Sequence, residues 1–170
     1  MELTDLMPLE EWKAFEVEVA EKYKVNANVF DKAGIRITDY KYRANSLCPE
    51  IKATDKGQSF ICAVAHMNIA AQAVATHAPL IEECDGGFIK MVVPIFVKGE
   101  FVGSFSTCGF LMEGGEIDSF IVNKITEIDE ERIKILSKDI VSLSTAKVEE
   151  IKNYLAAQID KIVADFKEHT

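Results

Sequence analysis

The sequence predicts an α+β domain: an antiparallel sheet flanked by helices and followed by a long C-terminal helix. Three observations predict it. Phe88 to Val97 is β-branched and apolar, Lys98-Gly99-Glu100 reads as a tight turn, and Phe101 to Met112 returns as a second strand. Val25 to Phe30 alternates apolar and polar residues as a half-buried strand does. Both ends of the chain carry apolar residues at helical spacing. At 170 residues, with 48% hydrophobic and 28% charged, the chain is long and apolar enough for one globular core.

Taken in order, Leu9, Trp12, Phe15, Val19 and Tyr23 mark the first helix, with Pro8 suited to its first turn and Glu10 and Glu11 to its positive end. After the strand from Val25, Asp31-Lys32-Ala33-Gly34 reads as a turn and Ile35 to Thr38 as the partner strand. Asp39 to Leu47 reads as a loop. Gly57 to His77 is rich in Ala, Ile, Val and Met, has no proline, and reads as a mostly buried helix stopped by Pro79. Leu80 to Glu83 is a short strand before the central hairpin. Asp118 to Ile125 and Glu130 to Leu136 read as short helices. The last helix runs from about Ser144 to Phe166, with Val148, Ile151, Leu155, Ile159, Ile162 and Phe166 in one stripe that the domain or a second chain must cover.

A net charge of −9 without a basic cluster argues against direct binding to nucleic acid or to an acidic membrane, because neutralising phosphate needs gathered Lys and Arg. The first residues, Met1-Glu2-Leu3-Thr4-Asp5, lack the basic start and apolar run of a signal peptide, and the apolar runs are strand-length. A cytoplasmic protein is expected, where cysteines stay reduced and serve as metal ligands or reactive groups.

The four cysteines, Cys48, Cys62, Cys84 and Cys108, fall one by one in separate segments. None forms a Cys-x-x-Cys pair, so zinc-ribbon, thioredoxin and ferredoxin patterns are excluded. They make a metal site only if the fold gathers them. Gly86 and Gly87 after Cys84, and Gly109 after Cys108, let backbone N–H groups turn toward a thiolate. His66 lies one helical turn after Cys62 and is a candidate substitute ligand. Against this, a free cysteine also packs as a small buried hydrophobe, and His66 as a satisfied, half-buried polar group. His77 and His169 read as surface residues. There is no phosphate loop and no nucleophile elbow; Cys62 with His66, and less so Cys84 with Asp85, are the only nucleophile arrangements, and an enzyme is not expected.

Several short motifs then occur in a telling order: Asp31-Lys32-Ala33-Gly34, Asn45-Ser46-Leu47-Cys48, Cys62 opening a helix, Leu80 to Phe88 with Cys84 ahead of Gly87, and Val92-Val93-Pro94-Ile95 followed by Gly99 and Gly103. In this order they resemble the PocR sensory domain of bacterial and archaeal regulators and histidine kinases. Leu3 to Tyr23 is similar to that family's first helix. The resemblance runs to about Met112 and implies a PAS-like or GAF-like sheet that binds a small effector, with output through a separate domain. It divides the chain into a sensory domain, 1–138, and a C-terminal helix, 139–170, for packing or dimerisation. The sequence departs from the family in Asp85, where histidine is frequent, in Thr107-Cys108-Gly109, which adds a cysteine, and in the lack of a following kinase or DNA-binding domain.

Three functions compete. In the first, a sensory domain holds an iron–sulfur cluster or zinc on Cys48, Cys62, Cys84 and Cys108 and signals to a partner protein through an interface, as a homodimer if the last helix pairs; four thiolates favour these metals over magnesium or calcium. In the second, the cysteines are structural and a small organic molecule sits between the sheet and the Gly57–His77 helix, against Phe60, Phe88, Met91, Phe105 and Phe110. In the third, two cysteines form a thiol redox switch.

Overall fold

The computed structural model describes residues 1–168, and His169 lies outside them. The fold is α+β and PAS/GAF-like. Four antiparallel strands run in the order β1-β4-β3-β2, with β1 Asn26–Asp31, β2 Leu80–Glu83, β3 Ile89–Val97 and β4 Glu100–Met112. A two-residue strand, β5 Ser142–Leu143, adds to β4 in parallel. The β3–β4 hairpin turns at Lys98 and Gly99, both at positive φ (51° and 85°), as the twist of two short-looped strands demands.

The two faces of the sheet are covered differently. Strand alternation sends Ala27 and Val29 of β1, Met91, Val93 and Ile95 of β3 and Phe105 of β4 to one face, where α2 (Leu9–Tyr23) and α8 (Thr145–Glu168) close the main core. Trp12 is wholly buried there and donates its indole N–H to the Leu3 carbonyl at 2.9 Å. Val148, Ile151, Leu155, Ile159 and Val163 of α8 are buried in the same core, with Ile162 and Phe166 packed at its margin. The domain thus covers the C-terminal stripe with its own sheet.

On the other face, one helix of three parts crosses β3 and β2: α4 Asp55–Gly57, a π-helical turn Gln58–Ala63, and α5 Val64–Thr76. Ile69 and Ala73 of α5 pack on Val92. Beside them α3 (Leu47–Ala53), α6 (Ser119–Thr126) and α7 (Glu130–Leu136) form a small second core of Leu47, Ile51, Ile61, Phe88, Val122 and Ile133.

Three expectations need correction. Ile35 to Thr38 does not return as a strand; only Phe30 and Arg36 bridge, and the segment is tied by side chains, with Asp31 Oδ1 accepting from the N–H of Ala33 and of Ile35 at 2.9 Å each. With Ile35 exposed and charged residues following, it shields the β1 edge rather than extending the sheet. The Cys48 region, unassigned in the sequence, is the helix α3. The helix expected to be mostly buried is not: within Asp55–Thr76 an 18-residue window of mean hydropathy 1.3 is 22% buried, and the helix is long and apolar enough to cross a membrane by length and composition, unlike the strand-length runs expected. Its inner face nevertheless packs on the sheet through Ile61, His66, Ile69 and Ala73.

Glu16 is wholly buried between α2 and the segment after β1. It accepts the Val29 N–H at 2.7 Å and the Thr38 hydroxyl. Burial raises its pKa above the ordinary carboxylate value, more than these two donors and Arg36 lower it. A raised native pKa means Glu16 contributes full stability below its unfolded value, and that this is lost as pH rises through the native value. Glu16→Gln keeps an acceptor for Val29 and removes the proton. Thermal melts between pH 4 and pH 8 are expected to show the variant gaining on wild type as pH rises; parallel curves would refute this.

Candidate functional site: a cysteine-lined chamber

The site begins with strand alternation. Asn26, Asn28 and Phe30 of β1, Ser104, Ser106 and Cys108 of β4, and Lys90 and Val92 of β3 share the face opposite the main core, paired as Asn26↔Cys108, Asn28↔Ser106, Lys90↔Cys108 and Val92↔Ser106. At Gly109 the β4 strand carries one extra residue opposite Ile89 and Lys90. Gly109 has φ 88°, and this bulge turns Phe110 back to the main core while Cys108 keeps facing the helix. A Cβ on Gly109 would stand 2.5 Å from Asn26 Nδ2, so only glycine lets the Asn26 amide lie against the strand beside Cys108.

A cavity of about 240 Å³ opens between this face and the α3 and Asp55–Thr76 helices. Cys48, Cys62, Cys84 and Cys108 all line it, with His66. The fold therefore brings together the four cysteines that the sequence scatters. Each arrives from a different part of the chain: Cys48 in α3, Cys62 in the π-helical turn, Cys84 directly after β2 and Cys108 in β4. All four are free thiols. Among the described residues no group of three His, Cys, Asp or Glu side chains is gathered so as to hold a single metal ion.

Backbone and amide donors serve the sulfurs. The N–H groups of Gly86 and Phe88 donate to the Cys84 sulfur, as expected from the flanking glycines. Asn45 donates to the Cys48 sulfur at 3.3 Å and to the Gly109 carbonyl at 2.8 Å, while its oxygen accepts from the N–H of Leu47 and of Cys48. Asn26 Nδ2 lies 4.0 Å from the Cys108 sulfur and its oxygen takes the Ala44 N–H at 3.1 Å.

The charge in the chamber is one-sided. Arg36, Lys52 and Lys90 line it, and none of the lining residues among those described is an Asp or Glu, in a chain of net charge −9. Burial pushes the Cys48 thiol far up, Cys62 to about 11, and Cys84 upward as well. Such thiols are poor nucleophiles and poor redox triggers. Burial opposes the charge on Cys108 too, but Lys90, Lys52, the Asn26 amide and Arg36 together outweigh it and hold this thiol below its ordinary value. A charge on Cys108 in turn raises each of the other three. His66 stacks on Phe30 with ring centroids 3.7 Å apart, and burial, with Lys90, drives its pKa down to about 3. It is a neutral imidazole whose Nδ1 has no partner; Arg36 Nε is likewise buried without one.

The family model of the sensory domain found in PocR matches residues 5–165. The chain belongs to this family. No curated protein and no solved structure matches the chain significantly. A PocR sensory domain is a ligand-sensing module, so a small-molecule effector or a signalling partner is implied. The match includes α8, well beyond the Met112 limit of the motifs.

Of the aromatic and methionine residues placed in a ligand pocket by the sequence, only Phe88 lines this chamber. Met91, Phe105 and Phe110 lie in the main core on the opposite face, where Phe105 packs on Phe15 at 4.6 Å. Phe60 points outward and is 58% exposed. The sequence reading passed over the polar lining, Asn28, Arg36, Lys52 and Lys90, and the Phe30 ring beside it. One signal was present. Lys90 is the only charge inside the apolar run Phe88 to Val97, and a buried lysine there needs a reason.

Proposed function

We propose that the chamber of this PocR sensory domain holds an iron–sulfur cluster on Cys48, Cys62, Cys84 and Cys108, and that the state of the cluster is what the domain senses. The observation that carries this reading is the convergence of all four cysteines on one cavity without a carboxylate. Four thiolates and a cluster form an anionic group, and Arg36, Lys52 and Lys90 offset it. Donors to the sulfurs from Gly86, Phe88, Asn45 and Asn26 are what such a centre requires of its surroundings. A tetrahedral zinc demands four sulfurs about 2.3 Å from one point. Among the described residues no three of these side chains gather about one point, which does not fit such a site. When bound, the group supplies a redox-sensitive and oxygen-sensitive centre. The chain's residues would hold it and balance its charge.

The test is anaerobic purification of the full chain, reconstitution with ferrous iron and sulfide, and measurement of iron, acid-labile sulfide and visible absorption. Stoichiometric iron and sulfide with a thiolate-to-iron band are expected. A colourless protein without either overturns the reading, and one zinc per chain instead replaces the cluster with a mononuclear site.

A second reading rests on the unpartnered His66 Nδ1 and Arg36 Nε. These, with Lys90, suit a small organic anion at the Phe30 end of the chamber. Thermal stability across a panel of short carboxylates tests it, since a ligand of the native state must raise the melting temperature.

A further inference from the structure

The Asp55–Thr76 helix has an outer face as well as the inner face that carries Cys62 and His66. From Gly57 to Ile81 the chain contains no Asp, Glu, Lys or Arg, although 28% of the whole is charged. Outward from this stretch stand Phe60, Val64, Met67 and Ala71, all exposed, with Phe60 at 58% and Met67, which also reaches the rim of the chamber, at 65%, followed by the half-buried Val74. From Val64 on, in the α-helical part, their spacing is three, four, three, the alternation of a two-helix seam, with Phe60 ahead of it in the π-helical turn. The flanking positions are Ala63, Asn68, Ala70 and Ala75, small or neutral residues that let another helix approach closely.

We propose that this seam is where a second copy of the chain docks, helix against helix about a two-fold axis. The argument for that occupant is charge. A partner surface must itself be apolar and uncharged to cover the seam, and the chain's own seam is such a surface; the rest of the molecule carries its net −9, which holds two copies apart anywhere else. A two-fold pairing brings the same patch to itself and leaves no unsatisfied remainder. A lipid surface is a poorer occupant. Helices that lie in a membrane interface carry Lys and Arg along their polar face, and here the inner face is spent on the sheet, with no cation between Lys56 and Lys90. Met67 and the flanking Ala63 also line the chamber, but the pairing needs no metal there, so the oligomeric state and the iron content are separate readouts.

Sedimentation equilibrium of the full chain from about 1 μM to about 1 mM spans binding free energies of about 8 to about 4 kcal/mol. Wild type is expected to pass from monomer to dimer within that range. Ala71→Glu puts two carboxylates into the seam and is expected to remain monomeric throughout, with an unchanged circular dichroism spectrum. Ile135→Glu, at an exposed residue of α7, is expected to dimerise as wild type does. If Ala71→Glu does not fold, Ala75→Glu one turn further on serves in its place. A wild type that stays monomeric at about 1 mM, or a seam variant that dimerises normally, overturns the proposal. So does wild type that co-sediments with phosphatidylcholine–phosphatidylglycerol vesicles while remaining monomeric, which would assign the face to lipid.

Discussion

Gly87→Ala is expected to destabilise the domain by about 3 kcal/mol and to lower its melting temperature by about 6–12 °C. Two costs add. Gly87 has φ 90°, where an alanine costs about 1–2 kcal/mol. The new Cβ would also stand 2.5 Å from the Glu116 carbonyl oxygen and 3.2 Å from the Asp118 amide nitrogen, both backbone atoms that must move. The turn cannot give way alone. Gly87 N–H donates to the Cys84 carbonyl at 2.8 Å, Cys84 N–H to the Phe88 carbonyl at 2.8 Å, and Asp118 N–H to the Gly86 carbonyl at 3.1 Å. Displacing it draws the Gly86 and Phe88 N–H groups away from the Cys84 sulfur, so the Cys84 thiol should also be harder to ionise. Gly114→Ala is the control: φ is 82° but nothing lies within 4 Å of its Cβ, so only the conformational cost remains. Calorimetric melts of both, with the pH dependence of Cys84 alkylation, decide the matter. Equal effects at the two glycines would show that the close approach contributes nothing.

The elements with strong local signals are those the sequence makes legible. Glu130–Leu136 and Leu80–Glu83 fall on the expected residues, and the β3–β4 hairpin and the first and last helices fall within a few residues of expectation. Their periodicity is unbroken and their ends carry turn residues, so local preference and tertiary packing agree. The partner strand at Ile35 to Thr38 fails because one apolar pair flanked by charge cannot hold a sheet edge. The outer face of Asp55–Thr76 was misread because uniform apolarity does not say which side the sheet covers. In the site, the cysteines were visible as residues and not as a cluster. Their meeting depends on the Asn26↔Cys108 register and on the bulge at Gly109, which are products of strand pairing across more than eighty residues. The aromatic pocket was assigned to the wrong face for the same reason. Bulge and register decide which of Cys108 and Phe110 faces the helices, and composition is blind to both.

Cys108→Ser is expected to have the largest effect on the site. A charge on Cys108 acts on Cys48, Cys62 and Cys84, and Cys108 is the one of the four thiols held below its ordinary pKa. It is therefore the sulfur most ready to bind a metal, since binding requires loss of the thiol proton. If Cys108 is a cluster ligand, removing it should cost at least the roughly 10–100-fold in affinity that removing a group supporting a ligand costs. Reconstituted Cys108→Ser should retain little iron and lose the thiolate-to-iron absorption. His66→Ala separates this from a general weakening of the chamber. His66 is neutral and stacked on Phe30, and it would be needed only if it replaced one of the cysteines. If the cysteines are the ligands, His66→Ala keeps its iron and its spectrum. If it loses both while Cys108→Ser keeps them, the ligand set is histidine-containing and Cys108 is a wall of an ordinary pocket. Circular dichroism of the metal-free variants guards against misfolding, and serine at 108 retains an acceptor for the Asn26 amide, so the strand register beside the bulge should survive.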